Sequence, residues 1–232
     1  MFLTADTTEQ LILGVSEMSD ARTPTAMPSH ITIFGATGRT GRALLHAARQ
    51  SGVRTTAHLR DPGRLGGAPT DRIVAGSVLD RVSVHDALSG AGAAVIAVGL
   101  GRNQQAPLFT AGTATIIEAM HMQRVRRLIV LSEAAYSPHT AGLVPRIAAA
   151  AYRAAAATAI RQRREQDTLL YASGLQWTIV RPVRVVDRAA RGLRTHLSTP
   201  ATSLLPTTYA DLATLILSVL PDPATHHHNL YP

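Results

Sequence analysis

The chain has no cysteine, no lysine and little aromatic content, and it has no apolar run long enough to cross a membrane. Without cysteine there can be no disulfide, thiolate nucleophile or Cys-based metal site, a composition that fits a reducing, cytoplasmic setting. Without lysine, all 23 positions counted as Lys plus Arg are arginine. This excludes a Tyr and a Lys four residues apart, the pair in which an ammonium lowers the phenol pKa and holds a ribose. Only 4% of residues are aromatic, so stacking platforms for a single-stranded nucleic acid are few despite a formal charge of +8. An anionic cofactor, with an anionic substrate, accounts for that charge more simply. No segment approaches the roughly 20 apolar residues of a membrane span.

At 232 residues and 46% apolar content, the chain suits one domain, residues 30–232, behind an extension of residues 1–29. That extension lacks the basic start and apolar stretch of a signal peptide. Thr7 to Gln10 fits a capping box, so it reads as a short helix or as a frayed leader.

What the chain does contain is ITIFGATGRTG, Ile31 to Gly41: a β-branched strand that breaks into three spaced glycines. Gly35 allows a sharp turn off the strand, Gly38 lets backbone approach a pyrophosphate, and Gly41 lets the next helix pack close to the sheet. A helix starting near Thr40 then aims free N–H groups at the phosphates.

The rest of the pattern alternates. A helix is expected over Arg39 to Gln50, then strands over Arg54 to Leu59 and Asp71 to Ala75, and a helix around Ser83 to Leu88. Ala93 to Val98 is a continuous apolar run, as in a strand buried on both faces. Leu108 to Met122 reads as helix, Arg127 to Leu131 as strand, and Leu143 to Ser173 as mostly helix with Gly174 as its stop. Trp177 to Arg181, Tyr209 to Val219 and Asn229 to Tyr231 read as strand, helix and edge strand. Together they predict an α/β fold, a doubly wound parallel sheet of the Rossmann type with a small C-terminal substrate region at about 183–206. The alanine blocks Ala148 to Ala151 and Ala154 to Ala157 are read as close helix packing, and they leave a homo-oligomer open.

About 20 residues beyond the glycines, NAD enzymes place an acid for the ribose and NADP enzymes an arginine for the 2′-phosphate. Arg60 stands there with Arg64 one turn on, which favours NADPH; Asp61, one residue away, is the alternative ribose ligand.

GATGRTG, HLRD, VGLGRN (98–103), LIVLSEAAY (128–136) and SGLQWTIVRP (173–182) together resemble the atypical short-chain dehydrogenase/reductases. The likeness is to the NAD(P)H-binding group of the biliverdin IXβ/flavin reductases, with NmrA-like proteins as more distant relatives. It runs from about His30 to the last residues. The resemblance implies that Gly35, Thr37, Gly38, Arg39 and Thr40 line the pyrophosphate, with Arg60 and Arg64 at the adenosine end. It also implies that Ser77 and Val78 flank the adenine, and that Val98, Gly99 and Leu100 lie beside the ribose and nicotinamide. Ser132 and Glu133 would sit at the nicotinamide, with Pro182 to Arg184 beyond it. Two positions depart from the family pattern: Ser77 replaces a common Asp, and Glu133 a common Ser.

Hydride transfer needs an acceptor stacked on the nicotinamide and a proton source. Glu133, neutral if buried or else folded into an arginine pair, is one source; Tyr136, His139 and water are others. Arg102, Arg181 and Arg184 are candidates to hold an anionic substrate. His226 to His228 do not form a metal site, because consecutive side chains of an extended segment point to alternate faces. The sequence therefore favours an NADPH-dependent reductase of a planar conjugated molecule (a flavin, a quinone or an aromatic polyketide). A non-catalytic NADP sensor and a reductase-derived isomerase or cyclase are the alternatives.

Overall fold

The computed structural model describes residues 25–99, 108–133, 157–192 and 206–232, with four isolated helical positions between 143 and 150. Most of the extension, the segments 100–107 and 134–142, and the stretch 193–205 lie outside the described residues, as do both alanine blocks except Ala150 and Ala157.

The chain runs β1 (His30–Phe34), α1 (Arg39–Gln50), β2 (Arg54–Leu59), a 3-10 turn (Pro62–Leu65), β3 (Arg72–Ala75), α2 (Arg81–Ala87) and β4 (Ala93–Ile96). It continues through α3 (Thr110–Met122), β5 (Arg127–Leu131), α4 (Ala157–Ala172), β6 (Gln176–Val180), β7 (Val185–Val186), β8 (Thr207–Thr208), α5 (Tyr209–Val219) and β9 (His228–Leu230). Seven strands form one parallel sheet in the order β3-β2-β1-β4-β5-β6-β9, and β7 and β8 form a small second sheet that the sequence reading missed.

Period-two alternation splits each central strand between two cores. Ile31, Ile33, Val95 and Ile129 pack with Leu44 and Leu45 of α1 and Leu212 and Ile216 of α5. Phe34, Ile96, Leu128 and Val130 pack with Val84, Ile116, Met120 and Leu170 from α2, α3 and α4. Burial on both faces explains why these strands read as continuous apolar runs. α4 ends at Ala172, and Gly174 follows with φ of +67°, as its stop signal requires.

The chain grows outward from β1 through β2 to β3, then returns to place β4 on the other side of β1. That reversal opens a crevice beyond the carboxyl ends of β1 and β4. Among the described residues no helix is long and apolar enough to cross a membrane.

Candidate functional site

A cleft of about 610 Å³ lies at this reversal. Its floor is the glycine turn. Gly35 has φ of +85°, and a Cβ there would come within 2.8 Å of the Ala97 carbonyl oxygen, so only glycine allows β1 and β4 to part at this point. A Cβ on Gly41 would meet the Gly35 carbonyl and lie 2.7 Å from Ala36 Cα, so α1 can sit this close to the strand only without one. Gly41 is a packing residue and does not line the cleft.

Gly38 is the N-cap of α1; it offers no side-chain cap, and the first turn has no acidic residue. The first N–H groups of the helix are thus left to whatever occupies the cleft, beside Thr37, Gly38, Arg39 and Thr40 of its lining.

Arg60 and Arg64 line the end formed by β2 and the turn after it, and the structure adds Arg42, one helical turn beyond Arg39. Among the described residues these four arginines form no ion pair, and none of the described lining residues is acidic. Asp61 is absent from the lining; its Oδ1 accepts the Gly63 N–H at 3.0 Å and caps the 3-10 turn.

Gly76, Ser77 and Val78 close this end over His58. The His58 imidazole is 1% exposed, 3.2 Å from Ser83 Oγ, with its ring 5.1 Å from that of Phe34. Burial pushes its pKa down to about 4, against a weaker upward pull from Asp80, so the ring is neutral at physiological pH.

The opposite end is apolar. Ala97, Val98 and Gly99 follow β4, Leu108 precedes α3, Leu131 ends β5, and Tyr209 begins α5. The Arg39 guanidinium stands 5.9 Å from the Tyr209 ring centroid, so the first residues of α1 and α5 meet at the cleft.

Several expected ligands lie elsewhere. Arg181 is 2% exposed; its Nη2 donates to Asp167 at 2.7 Å, its Nε to Asn229 Oδ1 at 2.7 Å and its Nη1 to Ser132 Oγ at 3.3 Å. It ties β6 to α4 and β9 and is not available to a substrate. Ser132 is buried against it, and neither Ser132 nor Pro182 lines the cleft. Arg184 is exposed and also outside the lining. The Glu133 side chain is 30% exposed, and its Oε1 lies 3.9 Å from Arg163 Nε. Leu100, Arg102, Tyr136 and His139 lie outside the described residues. Among the described residues no cluster of His, Asp and Glu could hold a metal.

Sequence reasoning missed Arg42, His58 and Tyr209. The three-residue spacing of Arg39 and Arg42 on one helix was the available signal for the first. The other two carry no local signal.

A parallel sheet that reverses its order above a bare helix N-terminus is the architecture of dinucleotide-binding Rossmann proteins. The sequence model of the NAD(P)H-binding family matches residues 35–223, and the chain belongs to that family. This agrees with the NAD(P)H-binding group expected from the sequence. A 3-diazoavenalumate denitrifying reductase from a Streptomyces species is 36% identical over 115 residues, covering 44% of this chain and 37% of that protein. The match therefore spans well under half of the relative's length. ChuY from Escherichia coli O157:H7, described as an anaerobilin reductase, shares the fold with a TM-score of 0.71 at 20% identity, over 87% of this chain and 95% of that one. A short-chain dehydrogenase/reductase from Veillonella parvula in complex with NADP gives 0.68 at 16% identity, over 88% and 94%.

Proposed function

We propose that the protein is an NADPH-dependent reductase that delivers hydride to a planar, conjugated small molecule such as a flavin, a quinone or an aromatic polyketide. The observation that carries the cofactor reading is a cleft with four arginines and no acidic residue among its described lining. NADPH differs from NADH by a 2′-phosphate. A guanidinium grips that group through two parallel hydrogen bonds, whereas a carboxylate at the same place repels it. With Asp61 committed to Gly63, Arg60 and Arg64 take the 2′-phosphate. Thr37, Gly38, Arg39 and Thr40 take the pyrophosphate at the start of α1. Ser77 and Val78 flank the adenine, and Val98, Gly99 and Leu131 face the nicotinamide.

The bound cofactor supplies the hydride. The protein's contribution is placement: Val98, Leu108, Leu131 and Tyr209 present an apolar wall against which a flat acceptor can lie over the nicotinamide. An acceptor that spreads the incoming charge over a conjugated system needs no Tyr/Lys pair, and water supplies its proton. The reductase names of the Streptomyces relative and of ChuY support the redox reading.

Calorimetric titration with NADPH and NADH, followed by NADPH oxidation with flavin and quinone acceptors, tests the proposal. The expected results are tighter NADPH binding and consumption of one NADPH per acceptor reduced, slower when the NADPH carries deuterium at C4. Equal or tighter NADH binding removes the cofactor reading. The lack of any lysine gives a sensor role its footing, and cofactor binding without turnover, together with recovery of a protein partner, would establish it. Conversion of a substrate with no net consumption of NADPH means isomerisation or cyclisation.

A further inference from the structure

We propose that Arg163 of α4 is a positioning residue that sets the nicotinamide half of the cleft by bridging the ends of β4 and β5. The proposal rests on the NADPH reading above.

The ladder between β4 and β5 runs from the Ala93/Arg127 pair to the Ile96/Val130 pair and stops. Beyond it the two strands continue as Val98 and Leu131, and both residues wall the apolar end of the cleft. The Arg163 guanidinium spans the gap between them: Nη2 donates to the Val98 carbonyl at 3.3 Å and Nη1 to the Leu131 carbonyl at 3.4 Å. A single planar fork thus holds both strand exits where the interstrand hydrogen bonds have ended.

The fork is itself held in place. Its Cζ lies 3.6 Å from the Phe109 ring centroid, and Nη1 donates to Gln166 Oε1 at 2.9 Å. Gln166 Nε2 in turn donates to Thr113 Oγ1 of α3 at 2.7 Å. Nε lies 3.9 Å from Glu133 Oε1, just past the end of β5. One cation, its side chain 4% exposed, therefore fixes α3, α4 and the two exits that shape the cleft wall.

Burying a guanidinium is costly, and apolar side chains of similar volume are often the more stable filling. The charge at this place is explained by what it holds. A compact ammonium has the charge but lacks the rigid fork that reaches two carbonyls at once. The adenosine half is formed by α1, β2 and the turn after β3, whereas the Arg163 fork reaches Val98 and Leu131 at the nicotinamide end.

The test compares NADPH with 2′,5′-ADP, which carries the adenosine half and the 2′-phosphate but no nicotinamide. In Arg163→Met, NADPH should bind about tenfold more weakly while 2′,5′-ADP stays within about twofold of the parent protein. Arg163→Lys should recover part of the NADPH loss. Gln166→Leu leaves the arginine in place but frees its plane, so it should show the same selective loss at smaller size. It carries the test if the Met variant does not fold. An equal loss of both ligands, or an unchanged NADPH to 2′,5′-ADP ratio in these variants, overturns the role of Arg163 alone. Parent protein that binds neither ligand overturns the NADPH reading and this inference with it.

Discussion

The Asp61 carboxylate accepts the Gly63 N–H at 3.0 Å, and this bond keeps the acid after β2 out of the cleft while Arg60 beside it lines the wall. Cofactor choice should follow that arrangement. Arg60→Ala and Arg64→Ala should each weaken NADPH binding about tenfold or more, the usual scale for a charge-assisted hydrogen bond, and leave NADH nearly unchanged. Both arginines are exposed, so the NADPH preference should also shrink as salt is raised. Titrations of both cofactors at low and high ionic strength check this.

Gly41→Ala should damage the site without changing any charge. The added methyl would meet the Gly35 carbonyl and Ala36 Cα, both backbone atoms that cannot swing aside. Pushing α1 off the turn should cost about 1–3 kcal/mol of stability, as overpacking does, and abolish NADPH binding. Denaturant unfolding combined with cofactor titration separates the two effects.

His58 should make the fold sensitive to mild acid. Its pKa falls from 6.5 to about 4 because burial penalises the charged ring. The unfolded chain therefore binds the proton more readily, and stability is lost as pH drops from about 6.5 towards 4. The full difference is about 3 kcal/mol. His226, also shifted downward chiefly by burial, adds to the same slope. Urea midpoints measured across this range should decline less steeply in His58→Gln than in the parent protein.

Arg127 holds the far end of the fold. It is 5% exposed, and all five of its N–H groups are engaged. They donate to the Leu220, Gln176 and Val219 carbonyls and to the Thr178 and Thr225 hydroxyls. Two of those carbonyls close α5, where a cation also suits the helix dipole. Arg127→Met should cost about 3–5 kcal/mol by orphaning these acceptors, and should lower the melting temperature by roughly 10 °C without altering the NADPH to NADH preference.

The parts of the site that the sequence revealed are those governed by neighbours in the chain. Gly35, Gly38 and Gly41 announce a turn because each acts on backbone within a few residues, and Arg60 was found by its distance from them. The burial of Arg181 could not be read locally, because its partners, Asp167 and Asn229, lie 14 and 48 residues away. Arg163 drew no attention in a helix full of arginine, since its meaning depends on Val98 and Leu131 from two other strands.

The sequence by itself determined the strand and helix alternation, the glycine turn and the exclusion of lysine and cysteine chemistry, because sterics, periodicity and composition are local properties. Only the tertiary structure decided what each guanidinium does, since an arginine's role depends on which carbonyls, carboxylates and open space surround it. That surrounding is assembled from segments far apart in the chain. Folding turned Arg39, Arg42, Arg60 and Arg64 towards the cleft and sealed Arg127, Arg163 and Arg181 into the frame that supports it.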